Sequence, residues 1–208
     1  MEKFESLKNL KMIETDRLII RKMQRSDAED MYEYACLDKV TQFLLWKAHP
    51  GIDYTRAYLS SIQKHYRDGS YFDYAVILKE ENKMIGTCGF SRIEKQENCA
   101  EIGYVINPAY HNKGYATEAA LAVMRLGFCD MGFNRIEGRY MVKNTASRKV
   151  MERCGMTFEG VFREMMLVKG RYEDIGICSC LRREFIFKFG PDGSGALCSD
   201  VFGKTKSF

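Results

Sequence analysis

A chain of 208 residues with 46% hydrophobic side chains has the length and apolar content for one domain with its own core. Its 32 basic and 28 acidic residues are interspersed, and the net charge of +4 is too mild to indicate a nucleic-acid partner. No apolar run approaches the roughly 20 residues that span a bilayer. The start, Met1-Glu2-Lys3-Phe4-Glu5, lacks signal-peptide character, so a cytoplasmic protein with no membrane partner is expected.

The elements follow in chain order. Leu18–Met23 alternates weakly and reads as a first strand. Ser26-x-x-Glu29 has the form of a capping box that opens a helix through about Cys36. Asp53 to Arg67 reads as a second helix, stopped by Gly69. Strands are expected at Tyr74–Lys79, Met84–Ile93 and Cys99–Ile106, with the short Glu80–Lys83 link making the first two a hairpin. A long helix runs from Tyr115 to Met131 and stops at Gly132. Arg135–Val142 is the next strand, and Thr145–Cys154 is a short helix closed by Gly155. Phe158–Val168 and Arg171–Arg182 flank the turn Lys169-Gly170. Hairpins mixed with helices indicate an α/β or α+β domain whose sheet is not uniformly parallel. The expected division is a loose lead-in over residues 1–10, one domain over 11–185 and a mobile tail over 186–208, where Gly190-Pro191-Asp192-Gly193-Ser194-Gly195 breaks regular structure.

The 8 cysteines do not form a metal or disulfide pattern. No Cys-x-x-Cys occurs and the 3 histidines are scattered, which argues against zinc. Cys178 and Cys180 fall on one face of a strand and read as core.

The most informative stretch is Pro108-Ala109-Tyr110-His111-Asn112-Lys113-Gly114-Tyr115-Ala116-Thr117. A strand, a short turn of small residues and a helix start converge there. Free backbone N–H groups and the helix dipole together attract phosphate. A P-loop would need Ser or Thr after a Gly-Lys pair, and a dinucleotide fold would need Gly-x-Gly-x-x-Gly; neither is present. On this turn alone, an ordinary strand-to-helix connection with Gly114 chosen for its backbone freedom is an equal reading.

A second segment, Asn144-Thr145-Ala146-Ser147 continuing to Cys154-Gly155-Met156, breaks that tie. Together the two segments resemble the GCN5-related N-acetyltransferases. The family's pyrophosphate turn, (Arg/Gln)-x-x-Gly-x-(Gly/Ala), corresponds to His111-Asn112-Lys113-Gly114-Tyr115-Ala116, with His111 in place of Arg or Gln. The opening Thr15-Asp16-Arg17-Leu18-Ile19-Ile20-Arg21, the run Lys-Gly-Tyr-Ala-Thr-Glu-Ala and the Asn-x-x-Ser pattern are similar to the ribosomal-protein N-terminal acetyltransferase branch. The likeness extends from about Ile13 to about Arg183.

The resemblance implies a mixed, mostly antiparallel sheet with flanking helices and a splayed strand pair, Tyr104–Ile106 against Glu137–Met141. It implies acetyl-coenzyme A as co-substrate, no metal, and a primary amine acceptor, possibly a ribosomal or other protein N-terminus. Tyr104, Val105 and Ile106 would flank the pantetheine arm, with a backbone N–H near Val105 or Ile106 polarising the thioester. His111 through Thr117, with Gly114 central, would hold the pyrophosphate, and Lys113, Arg148 and Lys149 are candidate phosphate-facing cations. Asn144 would contact the arm or simply cap its helix. Many relatives have a general-acid tyrosine where this chain has Met151; Ser147 is the candidate replacement, against a plain helix-surface serine. Asp73 is the candidate base, with Glu101 second; a carboxylate near its reference pKa of ~4 needs burial or a water relay to serve. Trp46, with Phe43, Leu44, Leu45 and Tyr54, would wall the acceptor pocket or fill core. Two other functions stay open, acetylation of a small amine (amino acid, polyamine or antibiotic) and non-catalytic acyl-CoA sensing. Monomer and homodimer are equally compatible with the sequence.

Overall fold

Both hairpins expected from the short Glu80–Lys83 and Lys169-Gly170 links form. The computed structural model describes residues 10–190. Eight strands join in one sheet: β1 Ile13–Glu14, β2 Leu18–Arg21, β3 Phe72–Leu78, β4 Lys83–Glu94, β5 Cys99–Ile106, β6 Arg135–Met141, β7 Thr157–Val168 and β8 Arg171–Leu181. Six α-helices accompany them: α1 Ala28–Ala35, α2 Asp38–Thr41, α3 Ile52–Asp68, α4 Tyr115–Arg125, α5 Thr145–Arg153 and α6 Arg182–Phe189. The strand order is β1-β2-β3-β4-β5-β6-β8-β7. Every neighbouring pair is antiparallel except β5 and β6, which α4 connects in parallel.

The centre of the sheet is covered on both faces. Tyr74–Leu78 of β3 and Met84–Phe90 of β4 are buried without interruption, as strands under two layers must be. Helix α1 packs on α3 and β4, while α4 lies against β4, β5 and β2. Helix α4 is buried almost all round, with Ala119, Ala120, Leu121, Ala122, Val123 and Met124 inside. Cys178 and Cys180 are buried thiols on β8.

Three expectations are corrected by tertiary contacts. The Ser26-x-x-Glu29 box does not cap α1. Instead Asp27, buried, accepts the Gln24 N–H (2.7 Å) and both donors of Arg21 (2.8 and 2.7 Å), and Glu29 turns out to Arg56 (2.8 Å). A fixed cation on β2 outbids a local serine for the helix start. The long helix expected through Met131 leaves α geometry at Leu126 and finishes as a π-turn over Leu126–Asp130. Gly127 there sits so close to the sheet that an added Cβ would lie 2.8 Å from Phe90 and 2.9 Å from Ile136. Finally, residues 182–189 form α6, where the tail had been placed from 186 onward; Phe185 and Phe189 are buried and stack on one another (4.9 Å). Residues 1–9 and 191–208, which hold most of the expected lead-in and tail, lie outside the described residues.

Candidate active site

The turn before α4 leaves the helix end uncapped. Asn112 (φ 62°) and Gly114 (φ 84°) both take the left-handed conformation, and Gly114 is the N-cap of α4 with no side chain capping the helix. The first intrahelical bond is from the Glu118 N–H to the Gly114 carbonyl (3.0 Å), so the preceding N–H groups point out of the helix end. A side chain at position 114 would strain the backbone and approach Arg17 at 3.4 Å. Arg17 clamps the turn. Its guanidinium donates to the Lys113 carbonyl (3.0 Å), pairs with buried Glu118 (2.6 Å) and stacks on the Tyr115 ring at 4.5 Å. Thr15 joins it on Glu118 (2.6 Å). The Thr15-Asp16-Arg17 opening therefore has a mechanical role that sequence reasoning did not assign; the signal was an acidic residue, Glu118, in an apolar helix face. His111 turns back on the protein, its Nε2 2.8 Å from the Ile106 carbonyl. Lys113 is exposed above the Tyr110 ring.

The splay expected between β5 and β6 is present. They pair at Cys99↔Arg135, Ala100↔Ile136 and Glu101↔Glu137, and no further. Beyond that point β5 stays bonded to β4 through Ile106, and β6 to β8 through Met141. Each strand thus turns an unpaired backbone edge toward the other. A cavity of about 710 Å³ opens there, inside the roughly 300–1,000 Å³ range of small-ligand sites. Tyr104, Val105, Asn144 and Ser147 line one side; Trp46 and Asp73 line the other. The backbone edges, the helix end and the cavity fit an extended amide-bearing arm that ends in phosphates, the shape of coenzyme A.

Asn144 Oδ1 accepts the Ser147 N–H (3.2 Å), so it does cap α5 while facing the cavity. Tyr104 reaches across from β5. Its hydroxyl donates to the Ser147 carbonyl (2.8 Å) and lies 3.1 Å from Ser147 Oγ. Burial raises the Tyr104 pKa, which keeps the phenol protonated. The Tyr104 hydroxyl thus reaches α5 from the facing strand. Met151 is buried over Gly138, where its thioether fills the space a Cβ would need. Sequence reasoning placed Tyr104 beside the arm and missed this contact, which joins β5 to a helix 43 positions further along the chain.

Asp73 sits on β3 at the cavity wall. Gly89, its partner on β4, makes the room: an added Cβ would lie 2.3 Å from the Asp73 Cα and 2.8 Å from Oδ1. Burial pushes the Asp73 carboxyl up to about 7, although the Tyr74 N–H (3.0 Å) and the Thr87 hydroxyl pull the other way. Tyr66 anchors the same residue by donating to its carbonyl (2.6 Å). Glu101 has a different setting. It pairs with Arg139 (3.3 Å) in a separate crevice of about 90 Å³ shared with Glu137, and does not line the large cavity. Ile106 and residues 111–117 also lie outside that cavity's wall. Arg148 is paired with Glu152 (2.8 Å) and Lys149 is exposed.

A sequence model described as an acetyltransferase (GNAT) domain matches residues 17–157, more than half of the chain. The chain belongs to the GNAT acetyltransferase family. The chain is 32% identical over 171 residues to the uncharacterized N-acetyltransferase p20 of Bacillus licheniformis, covering 82% of this chain and 96% of that one. It is 27% identical over 169 residues to the [ribosomal protein uS5]-alanine N-acetyltransferase of Escherichia coli K12, with 77% and 85% covered. The crystal structure of a GNAT-family acetyltransferase from Bacillus anthracis superposes with a TM-score of 0.75 at 32% identity, covering 83% of this chain and 99% of that chain. Gly114→Glu should abolish coenzyme A binding in calorimetry while leaving the circular dichroism spectrum unchanged. Wild-type affinity in that folded variant would refute the cradle.

Proposed function

We propose that this GNAT acetyltransferase uses acetyl-coenzyme A to acetylate a primary amine, the N-terminal amine of a protein or peptide, by direct attack with both substrates bound. The convergence of a near-neutral carboxyl, a hydroxyl pair and an open strand edge on one cavity carries the reading. The thioester supplies an activated acyl carbon and a thiolate that must be protonated as it leaves. Asp73, poised near neutrality, takes the proton the attacking amine loses, directly or through one water. A backbone N–H on the free edge of β5 near Val105 polarises the carbonyl. Ser147 relays a proton to the departing sulfur, passing its hydroxyl hydrogen to the thiolate as a water molecule returns one to Oγ, so the serine ends neutral. Tyr104 touches both Ser147 oxygens and can move its hydrogen bond from the carbonyl to Oγ as that proton leaves.

The composition of the cavity weighs against polyamine and aminoglycoside acceptors. Among the described residues lining it, Asp73 is the one carboxylate, set against Arg92, Lys95 and Arg139. A polycation has no second anion to meet. The resemblance to a ribosomal-protein alanine N-acetyltransferase supports a chain terminus as acceptor. Mass spectrometry of a lysine-containing peptide after reaction should find the acetyl group on the α-amine and not on the lysine. A formylated N-terminus should block the reaction, and ε-acetylation in its place would sink this acceptor.

Ser147→Ala should lower kcat by about 10- to 100-fold, with coenzyme A affinity within about twofold of wild type. Tyr104→Phe should cost less, and the double variant little more than Ser147→Ala alone, because the two hydroxyls act in series. An unchanged Ser147→Ala rate removes that residue from the mechanism.

Asp73 must be ionised to act, so kcat/KM should rise with pH through about 7, and Asp73→Asn should lose that limb along with most of the rate. Stability gives an independent check. A carboxyl whose folded pKa is raised binds more protons folded than unfolded between about 4 and 7, so the wild type loses stability as pH rises across that window. Asp73→Asn should therefore raise the Tm at pH 8 and change it little near pH 4. A pH-independent Tm difference would contradict the buried carboxyl.

A further inference from the structure

The acceptor side of the cavity has a wall of rings. Trp46 meets His49 at 5.3 Å between centroids, and His49 meets Tyr54 at 4.8 Å and Tyr58 at 5.7 Å. Tyr58 bonds Tyr71 through their hydroxyls (2.8 Å), and Tyr71 packs on Tyr66 at 5.4 Å. Tyr66 in turn holds the Asp73 carbonyl. The lining rings therefore run from the linker after α2 to Tyr71, and buried Tyr66 behind them links to the candidate base.

It is also held in place. His49 is buried, its Nδ1 lies 2.8 Å from Thr55 Oγ1, and its backbone N–H donates to the Ala35 carbonyl (2.9 Å). Burial lowers the His49 pKa, so the ring is neutral and adds no positive charge to the wall. Tyr34 packs behind the same wall at 1% exposure. Further along, the cations on the cavity lining are already matched where their partners are seen: Arg92 with Glu94 (2.6 Å) and Arg139 with Glu101 (3.3 Å).

We infer that this site selects a primary amine with an aromatic or bulky apolar group beside the nitrogen and no second positive charge. The inference rests on the acetyltransferase reading and adds the acceptor's chemical class. Ring faces attract one ammonium and stack on a flat apolar body. Asp73 can take one proton, and among the described residues lining the cavity there is no other carboxylate for a second ammonium to meet. The same chemistry is offered by a peptide that begins with an aromatic residue and by a free arylalkylamine.

The test measures kcat/KM for acetyl-coenzyme A with matched acceptors, by chromatography of the acetylated product. Short peptides differing only in a first residue of Phe, Ser or Lys form one arm; phenethylamine, propylamine and spermidine form the other. The Phe-first peptide should exceed the Ser-first peptide by about tenfold or more, and phenethylamine should exceed propylamine similarly, with spermidine lowest. Whichever arm reaches the higher kcat/KM identifies the source. Tyr54 is 55% exposed, so Tyr54→Ala should fold, and it should shrink the Phe-over-Ser ratio to about threefold or less. Trp46 is the chain's 1 tryptophan, so its fluorescence should respond to phenethylamine at concentrations where spermidine has no effect. Acetylation of Ser-first peptide or spermidine at an equal or higher rate overturns the acceptor class and leaves acetyl transfer standing. So does a Phe-over-Ser ratio unmoved by Tyr54→Ala. No product from any amine, with coenzyme A still bound, overturns this inference together with the acetyltransferase reading.

Discussion

A strand that leaves its neighbour must find another partner for its backbone groups or hold them open to solvent. In this chain β5 and β6 part after Glu101 and Glu137, while each keeps its other neighbour. The rest of the site depends on that parting. It opens the cavity, exposes the β5 edge beside Val105, and lets the Tyr104 side chain cross to α5. Had the pairing continued to Ile106, the sheet would be more complete and there would be no room for a substrate arm.

The uncapped end of α4 is held by charges placed behind it. Glu118 is an acidic residue in the first turn of α4, where the helix dipole favours it. It is buried, and a buried carboxylate without partners would be expensive. Arg17 and Thr15 supply those partners, and Arg17 also holds the Lys113 carbonyl. The first strand of the sheet and the cradle are thereby one rigid unit. Gly114 completes it by adopting φ 84° and leaving the N–H groups uncovered.

Two acidic residues on neighbouring strands show how environment assigns roles. Glu101 is matched by Arg139 in a crevice apart from the main cavity. Asp73 has backbone and hydroxyl partners but is packed against β4 because residue 89 is glycine, and its carboxyl is held near neutrality. The packing that raises the Asp73 carboxyl also sets the shape of the cavity wall beside it.

Local patterns in the chain were enough for most elements and for the family. Glycines at 69, 132 and 155 follow the ends of their helices, and the short Glu80–Lys83 and Lys169-Gly170 links mark two hairpins, because these signals act over a few residues. The Lys113-Gly114-Tyr115 turn and the Asn144-x-x-Ser147 cap are likewise local, and both were readable in place. What sequence could not supply were contacts between distant segments. Asp27 in place of Ser26 at the head of α1 depended on where Arg21 lies, and the π-turn depended on how closely α4 meets Phe90 and Ile136. The Tyr104–Ser147 pair, the Arg17–Glu118 clamp and the raised Asp73 carboxyl join residues up to 101 positions apart. Short-range preferences select an element's type within its own window. Electrostatic and packing energies depend on which windows become neighbours, and only the folded chain answers that.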